Sequence, residues 1–306
     1  MFLTQTRVCV CIHILYFSQE AMMKRLRLFS LTALFGMAFI SAPTQAALLD
    51  VTVMVENLAP TNSIAFAPLR VGFHNGTFDA FDNGAAATAP IISIAEGGTG
   101  ADWFPAFAAA DPTAVLGTVA NGGPAVPAGN AGVGNTFSST ASNTFRVDTS
   151  VNPFFTFANM VVPSNDLFLG NDNAIQLFDA SGNLLVNQIN QTGASIWDAG
   201  SEVADPANAA FLVGGVNANR TPENDVVSFD FSELSAFNGL ATPAGYNFDS
   251  TLITNGTDIF RITFTTAAVP EPASVVLLSL GLAAFAWRRR KNKLTVEQSV
   301  EGAMMA

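Results

Sequence analysis

Apolar and polar residues alternate at four places along the chain. In "DVTVMVEN" Val51, Val53 and Val55 share one side of an extended backbone. Leu69, Val71 and Phe73 do so in "PLRVGFHNG", Val227, Phe229 and Phe231 in "VVSFDFSE", and Phe260, Ile262 and Phe264 in "FRITFTT". A period of two marks half-buried strands. "AIQLFDASGNLL" predicts a hairpin, with Ala180-Ser181-Gly182-Asn183 turning between Leu177-Phe178 and Leu184-Leu185. Helical periodicity is thin. Thr99–Gly117 predicts one short helix, limited by Pro105 and Pro112. The Gly-, Pro- and Asn-rich stretch Ala120–Asn135 predicts a long loop, and no internal repeat is visible. The expectation is one all-β domain over residues 47–268, long enough to bury a core. Phenylalanines at alternate positions would fill that core. Residues 216–268 are β-rich and either complete the same domain, the favoured reading, or form a small appendage.

The two ends carry apolar runs of a different kind. Lys24, Arg25 and Arg27 precede the apolar segment Leu28–Ile40, and Ser41–Ala46 offers small residues for cleavage after Ala46. This order predicts a secretory signal peptide over 1–46, with Met22 or Met23 as the start and residues 1–21 as an upstream extension. At the other end, Pro270-Glu271-Pro272 is followed by the apolar run Ala273–Trp287 and then by Arg288-Arg289-Arg290-Lys291. A short membrane helix stopped by positive charge is the physical reading. Its span is about 22 Å, short of the ~30 Å hydrocarbon core unless flanking residues join it. The order of turn, apolar run and arginine cluster resembles the PEP-CTERM sorting signal of Gram-negative exported proteins, here over 269–293 with a tail at 294–306. The resemblance implies export through Sec, an inner-membrane-anchored intermediate held by the C-terminal transmembrane helix, and processing near Pro270-Glu271-Pro272 by an exosortase-type enzyme. The destination it implies is the outer surface or extracellular matrix.

Composition narrows the chemistry. Only 12% of the residues are charged and 49% are hydrophobic, against about 25% charged in an average domain. Between Ala47 and Val269 four arginines stand against twenty carboxylates, a formal charge of −16, with no lysine. Such a surface repels nucleic acid and favours divalent cations. Both cysteines, Cys9 and Cys11, precede the predicted cleavage site, and His74 is the single histidine after it. A Cys/His zinc site is thereby excluded from the body, and a Ser/His/Asp triad is possible only on His74.

Candidate chemistry centres on "VVPSNDLFLGNDN", residues 161–173, where an acidic turn interrupts two apolar stretches. Thirty-two residues after Asp166 comes "WDAGSEVAD", with Asp198, Glu202 and Asp205. Loop carboxylates of this kind suit calcium, which takes six to eight oxygens and tolerates irregular loops. By themselves they read more readily as solvated loop carboxylates than as a metal site. "FFTFANMVVPSNDLFLGND", Trp197-Asp198-Ala199-Gly200-Ser201-Glu202, the opening strand "VTVMVENLAP" and the "AEGG" turn at Ala95–Gly98 together resemble the spondin N-terminal domain over roughly residues 50–215. The resemblance implies an antiparallel β-sandwich with one Ca²⁺ ion bound by Asp166, Asp198 and Glu202. The family more often has aspartate at the position of Glu202. Asp172 and Asp205 are neighbouring candidates without a family match.

Three functions follow as expectations. The leading one is a non-catalytic, calcium-binding adhesion or matrix module whose partner is a surface glycan or protein. A self-assembling structural matrix protein is the second. The third is a hydrolase, using His74 or a metal-bound water at the acidic loops. No Gly-x-Ser-x-Gly elbow supports it, and calcium activates water poorly.

Overall fold

The computed structural model describes residues 48–269 and 280–290. It is mostly β, and every strand pair is antiparallel. One sheet runs in the order Thr140–Asp148 (β5), Leu48–Asn57 (β1), Asp258–Ala268 (β12) and Gln188–Thr192 (β9). The other runs Ser228–Phe229 (β11), Trp197–Asp198 (β10), Leu167–Gly170 (β7), Phe154–Val162 (β6), Leu69–His74 (β3) and Val115–Val119 (β4). Two short strands, Ala65–Phe66 (β2) and Ile175–Gln176 (β8), also pair with β6.

The alternating residues meet in one core. Val51, Val53 and Val55 of β1, Phe145 of β5 and Ile262 and Phe264 of β12 join Val71, Phe73, Phe155, Phe157, Leu167 and Leu169 of the second sheet. Aromatic rings cross from sheet to sheet at Phe155–Phe264 (4.9 Å) and Phe73–Phe145 (5.6 Å). β12 lies between β1 and β9, so the final segment supplies a strand to the first sheet.

The second sheet is covered on its other face as well. Two helices, Ala89–Ala95 (α1) and Trp103–Ala110 (α2), lay Ile91, Ile94, Trp103 and Phe107 against Ala158, Phe168 and Trp197. Burial on both faces explains why β6 reads as a nearly continuous apolar run, with eight of its nine residues buried. Gly72 of β3 lets α2 approach: a Cβ there would lie 2.3 Å from Cζ of Phe107.

Three expectations need correction. α1 is an extra helix, too short to show a helical period and started by Pro90. The strand expected in "VVSFDFSE" shrinks to β11, where Val227 is buried but Phe229 is 55% exposed. Ser232 bonds back to Asp230 through its N–H and hydroxyl, turning the chain into the 3₁₀ helix Ser232–Phe237. At the C-terminus the helix described spans 280–290 with every residue exposed. Among the described residues no helix is long and apolar enough to cross a membrane. Of the expected transmembrane run Ala273–Trp287, residues 273–279 lie outside the described residues, and the predicted signal peptide over 1–46 lies wholly outside them. The hairpin after β8 closes as expected, with Phe178 bridged to Leu184 and Asp179 accepting the N–H groups of Ser181 and Asn183.

Candidate functional site

The acidic turn hangs from the end of β6. Ser164 folds it, its hydroxyl donating to the Val161 carbonyl while accepting the N–H of Leu167 at 3.2 Å. The chain then re-enters the sheet as β7, which pairs with β10 so that Leu167 lies opposite Asp198. This register brings the two predicted loops together at one end of the second sheet.

Asp166 is 1% exposed. Its Oδ2 accepts the N–H of Ser201 (2.7 Å), the N–H of Glu202 (3.0 Å) and the Ser201 hydroxyl (3.2 Å). Its Oδ1 is buried and has no hydrogen-bond partner. Burial pushes the carboxyl upward, the three donors oppose that, and the charge of Glu202 adds to it. Asp198, half-buried, accepts the N–H of Gly200 at 2.6 Å, and Gly200 occupies a left-handed conformation (φ 61°) that tightens the loop. Burial and then the charge of Asp166 push Asp198 up to about 6.

Glu202 is 2% exposed and turned another way. Its Oε1 accepts from Asn165 Nδ2 at 3.1 Å, and its Oε2 lies 4.0 Å from Nε of Arg220 without a hydrogen bond. Arg220 also pairs with Glu96 of the "AEGG" turn, tying that turn to the acidic loops. Burial raises Glu202, with Glu96 adding to the shift and Asn165 and Arg220 opposing it.

Sequence reasoning missed Glu233. It sits in the first turn of the Ser232–Phe237 helix, which is anchored in the core by Leu234 and Phe237. Asn165 N–H reaches its Oε1 at 3.4 Å. Burial, then the charges of Asp166 and Asp198, push it up to about 9. No motif marks this residue; only a carboxylate four positions before the buried Phe237 hints at it. Asp205 caps its own turn through Ala207 and Asn208 and lends its N–H to Asn165. Asp172 is elsewhere, its charge felt by Asp79.

The donors at this end are oxygens, two of them (Asp166 Oδ1 and Glu202 Oε2) buried without a hydrogen bond, and the carboxylates raise one another. That chemistry fits a hard divalent cation. Among the described residues, however, no three Asp, Glu, His or Cys side chains are placed as a ready-formed metal site.

His74 is fully buried and both ring nitrogens are occupied. Nδ1 accepts the Gly76 N–H at 3.1 Å, so Nε2 carries the proton that faces Thr156 Oγ1 at 3.0 Å. Burial pulls it down to about 4, against the charge of Asp111. Through the Gly76 N–H this geometry fixes the turn after β3.

Comparison with known proteins gives one result at the C-terminus. No curated protein matches the chain, and no spondin family model does. The PEP-CTERM protein-sorting motif matches residues 268–291, and it points to an exported, membrane-processed, cell-surface protein of a Gram-negative bacterium and to an exosortase-type processing enzyme.

Proposed function

We propose that the body is a spondin-type antiparallel β-sandwich that works as a non-catalytic adhesion or exopolysaccharide-associated binding module, ordered by calcium at the Asp166, Asp198 and Glu202 loops. The observation that carries this reading is Asp166: a carboxylate 1% exposed, with Oδ2 clamped by three donors and Oδ1 left without any. A buried acceptor without a donor costs about 1–3 kcal/mol, more when charged. A cation would remove that penalty and offset the repulsion among the neighbouring carboxylates. Ca²⁺ here supplies charge neutralisation and rigidity. The chain's own residues do the rest: Asn165, Ser201 and Gly200 hold the two loops in register, and Arg220 ties Glu202 to Glu96.

In this reading the leader at 1–46 exports the chain, the C-terminal segment holds it in the inner membrane until an exosortase-type enzyme acts, and the ordered loops face a glycan or protein outside. Thermal melts of the purified chain with and without calcium test the core of it. At a hundred times the dissociation constant, calcium adds about 2.7 kcal/mol, a rise on the order of 5–10 °C. An unchanged melt at 10 mM calcium would remove the metal from the proposal.

A further inference from the structure

We propose that the exposed ring of Phe229 is a docking platform for a cationic sugar, one unit of an exopolysaccharide that carries free amino groups. The proposal rests on the glycan-binding reading above and names the place and the charge of that glycan. It does not involve the acidic loops. Alternation along β10 sends Trp197 into the helix-covered face of the second sheet, and Asp198, opposite Leu167, toward the other.

Three aromatic rings form a column at the edge of this sheet. Phe168 of β7 lies nearly parallel to Trp197 of β10 with ring centroids 6.4 Å apart, and Trp197 stacks on Phe229 of β11 at 3.5 Å. The inner two are fixed. Phe168 is fully buried and Trp197 nearly so, the indole Nε1–H donates to the Gly170 carbonyl at 3.2 Å, and Phe81 meets Trp197 edge-on at 5.1 Å. The outermost ring is different. β11 ends the sheet, and Phe229 is 55% exposed although Trp197 covers one of its faces. Its outer face is therefore open to solvent and backed by a rigid support. An aromatic face is the negative end of a quadrupole and attracts a cation within about 6 Å of its centroid.

The chain around the platform adds charge of the same sign. Asp230 follows Phe229 directly, and Asp225 lies just upstream, its N–H bonded to the Gly200 carbonyl. Asp82 follows Phe81 and opens a turn that is hydrogen-bonded to Val227 through Gly84 and Ala85. All three carboxylates are exposed, and none forms an ion pair among the described residues. The four arginines of the body are engaged elsewhere: Arg146 with Asp50, Arg220 with Glu96, Arg261 with Glu56, and Arg70 with Thr118 and the Gly98 carbonyl. An open ring face among unpaired acids suits a ligand that is apolar on one side and positively charged. An amino sugar is both, with a C–H face for Phe229 and an ammonium for the carboxylates. An acidic glycan would be repelled. β11 is only two residues long, too short an edge to take up a strand from a protein partner.

The test titrates the full chain, purified in detergent, with a glucosamine oligomer, its N-acetylated counterpart and a lysine oligopeptide, read by calorimetry. Calcium is present, and the buffer is acidic enough to charge the sugar amines. Wild type is expected to bind the glucosamine oligomer, and Phe229→Ala to weaken that binding about tenfold while Phe229→Tyr keeps it. Asp82→Asn combined with Asp230→Asn should weaken it too and flatten its salt dependence. Cooperative melting of each variant shows that it folds. Equal binding by Phe229→Ala and wild type overturns the platform, and the glycan reading then stands on another face. Equal affinity for the N-acetylated oligomer overturns the cationic sugar in favour of a neutral one. Phe229-dependent binding of the lysine peptide alone makes the partner a basic protein and overturns the sugar. If neither sugar oligomer binds wild type, this proposal falls, while the effect of calcium on melting still decides the reading on which it rests.

Discussion

The Oδ2 atom of Asp166 accepts the backbone N–H of Ser201 at 2.7 Å, joining positions 35 residues apart in the chain. With the Glu202 N–H and the Ser201 hydroxyl, this bond makes Asp166 a clamp as well as a ligand candidate. Hydrogen bonds to a charged group contribute about 1.5–3 kcal/mol each, less here because burial raises the carboxyl. Asp166→Ala is therefore expected to destabilise the calcium-free protein by about 2–4 kcal/mol. Denaturant titration in chelator reads this directly, and a loss below about 1 kcal/mol would deny the clamp.

Asp198 makes one such bond, to Gly200 N–H, and is repelled by Asp166. Asp198→Ala should accordingly change calcium-free stability by less than about 1 kcal/mol while abolishing the calcium-induced rise in melting temperature. The contrast between these two variants separates holding the loops from holding the ion. Equal effects in both assays would merge the roles.

His74 supplies a pH dependence with a definite sign. Burial holds it at about 4 in the folded chain, against an ordinary 6.5. Its contribution is fully present above pH 6.5, where both states are neutral, and is lost as pH falls toward 4 because the unfolded chain takes up the proton first. The loss is on the order of 2 kcal/mol. Asp198 and Glu233, raised above their ordinary values, act with the opposite sign. The difference between wild type and His74→Gln therefore isolates the histidine. Urea titrations at pH 7 and pH 4.5 should show the variant losing less stability on acidification than wild type; parallel losses would disprove the assignment.

Gly72 predicts a packing defect. A Cβ on β3 would stand 2.3–2.9 Å from three ring atoms of Phe107 in α2. Gly72→Ala should cost about 1–3 kcal/mol through overpacking. The double variant with Phe107→Leu should recover part of that in a double-mutant cycle, whereas simple additivity would place the cost elsewhere.

Processing is testable without reference to the fold. Replacing Pro270, Glu271 and Pro272 with alanine should leave the chain uncleaved in the inner-membrane fraction and absent from the cell surface. Mass and fractionation of wild type and variant decide it, and normal surface delivery of the variant would detach the motif from sorting.

The sequence by itself determined a good deal of this molecule. Val51, Val53 and Val55, and Phe260, Ile262 and Phe264, lie in the core as their alternation requires, because a strand pairs on both edges yet buries only one face of the first sheet. The sorting motif was legible for a similar reason: turn, apolar run and arginine cluster are read as a linear order. The strand expected around Phe229 failed, since alternation there is overruled by a turn at Asp230 that has no periodic signal. α1 escaped notice because seven residues hold too few helical turns to show a period. At the acidic site, the sequence brought forward Asp166 and Asp198 by resemblance to a known pattern, and β7–β10 pairing sets Leu167, the residue after Asp166, opposite Asp198. That Glu202 turns to Arg220 and Asn165 while Glu233 arrives beside the Asn165 N–H was decided only in three dimensions. Side-chain direction and the sharing of a finite set of donors depend on what every neighbouring segment does at once, and no local pattern of residues carries that information.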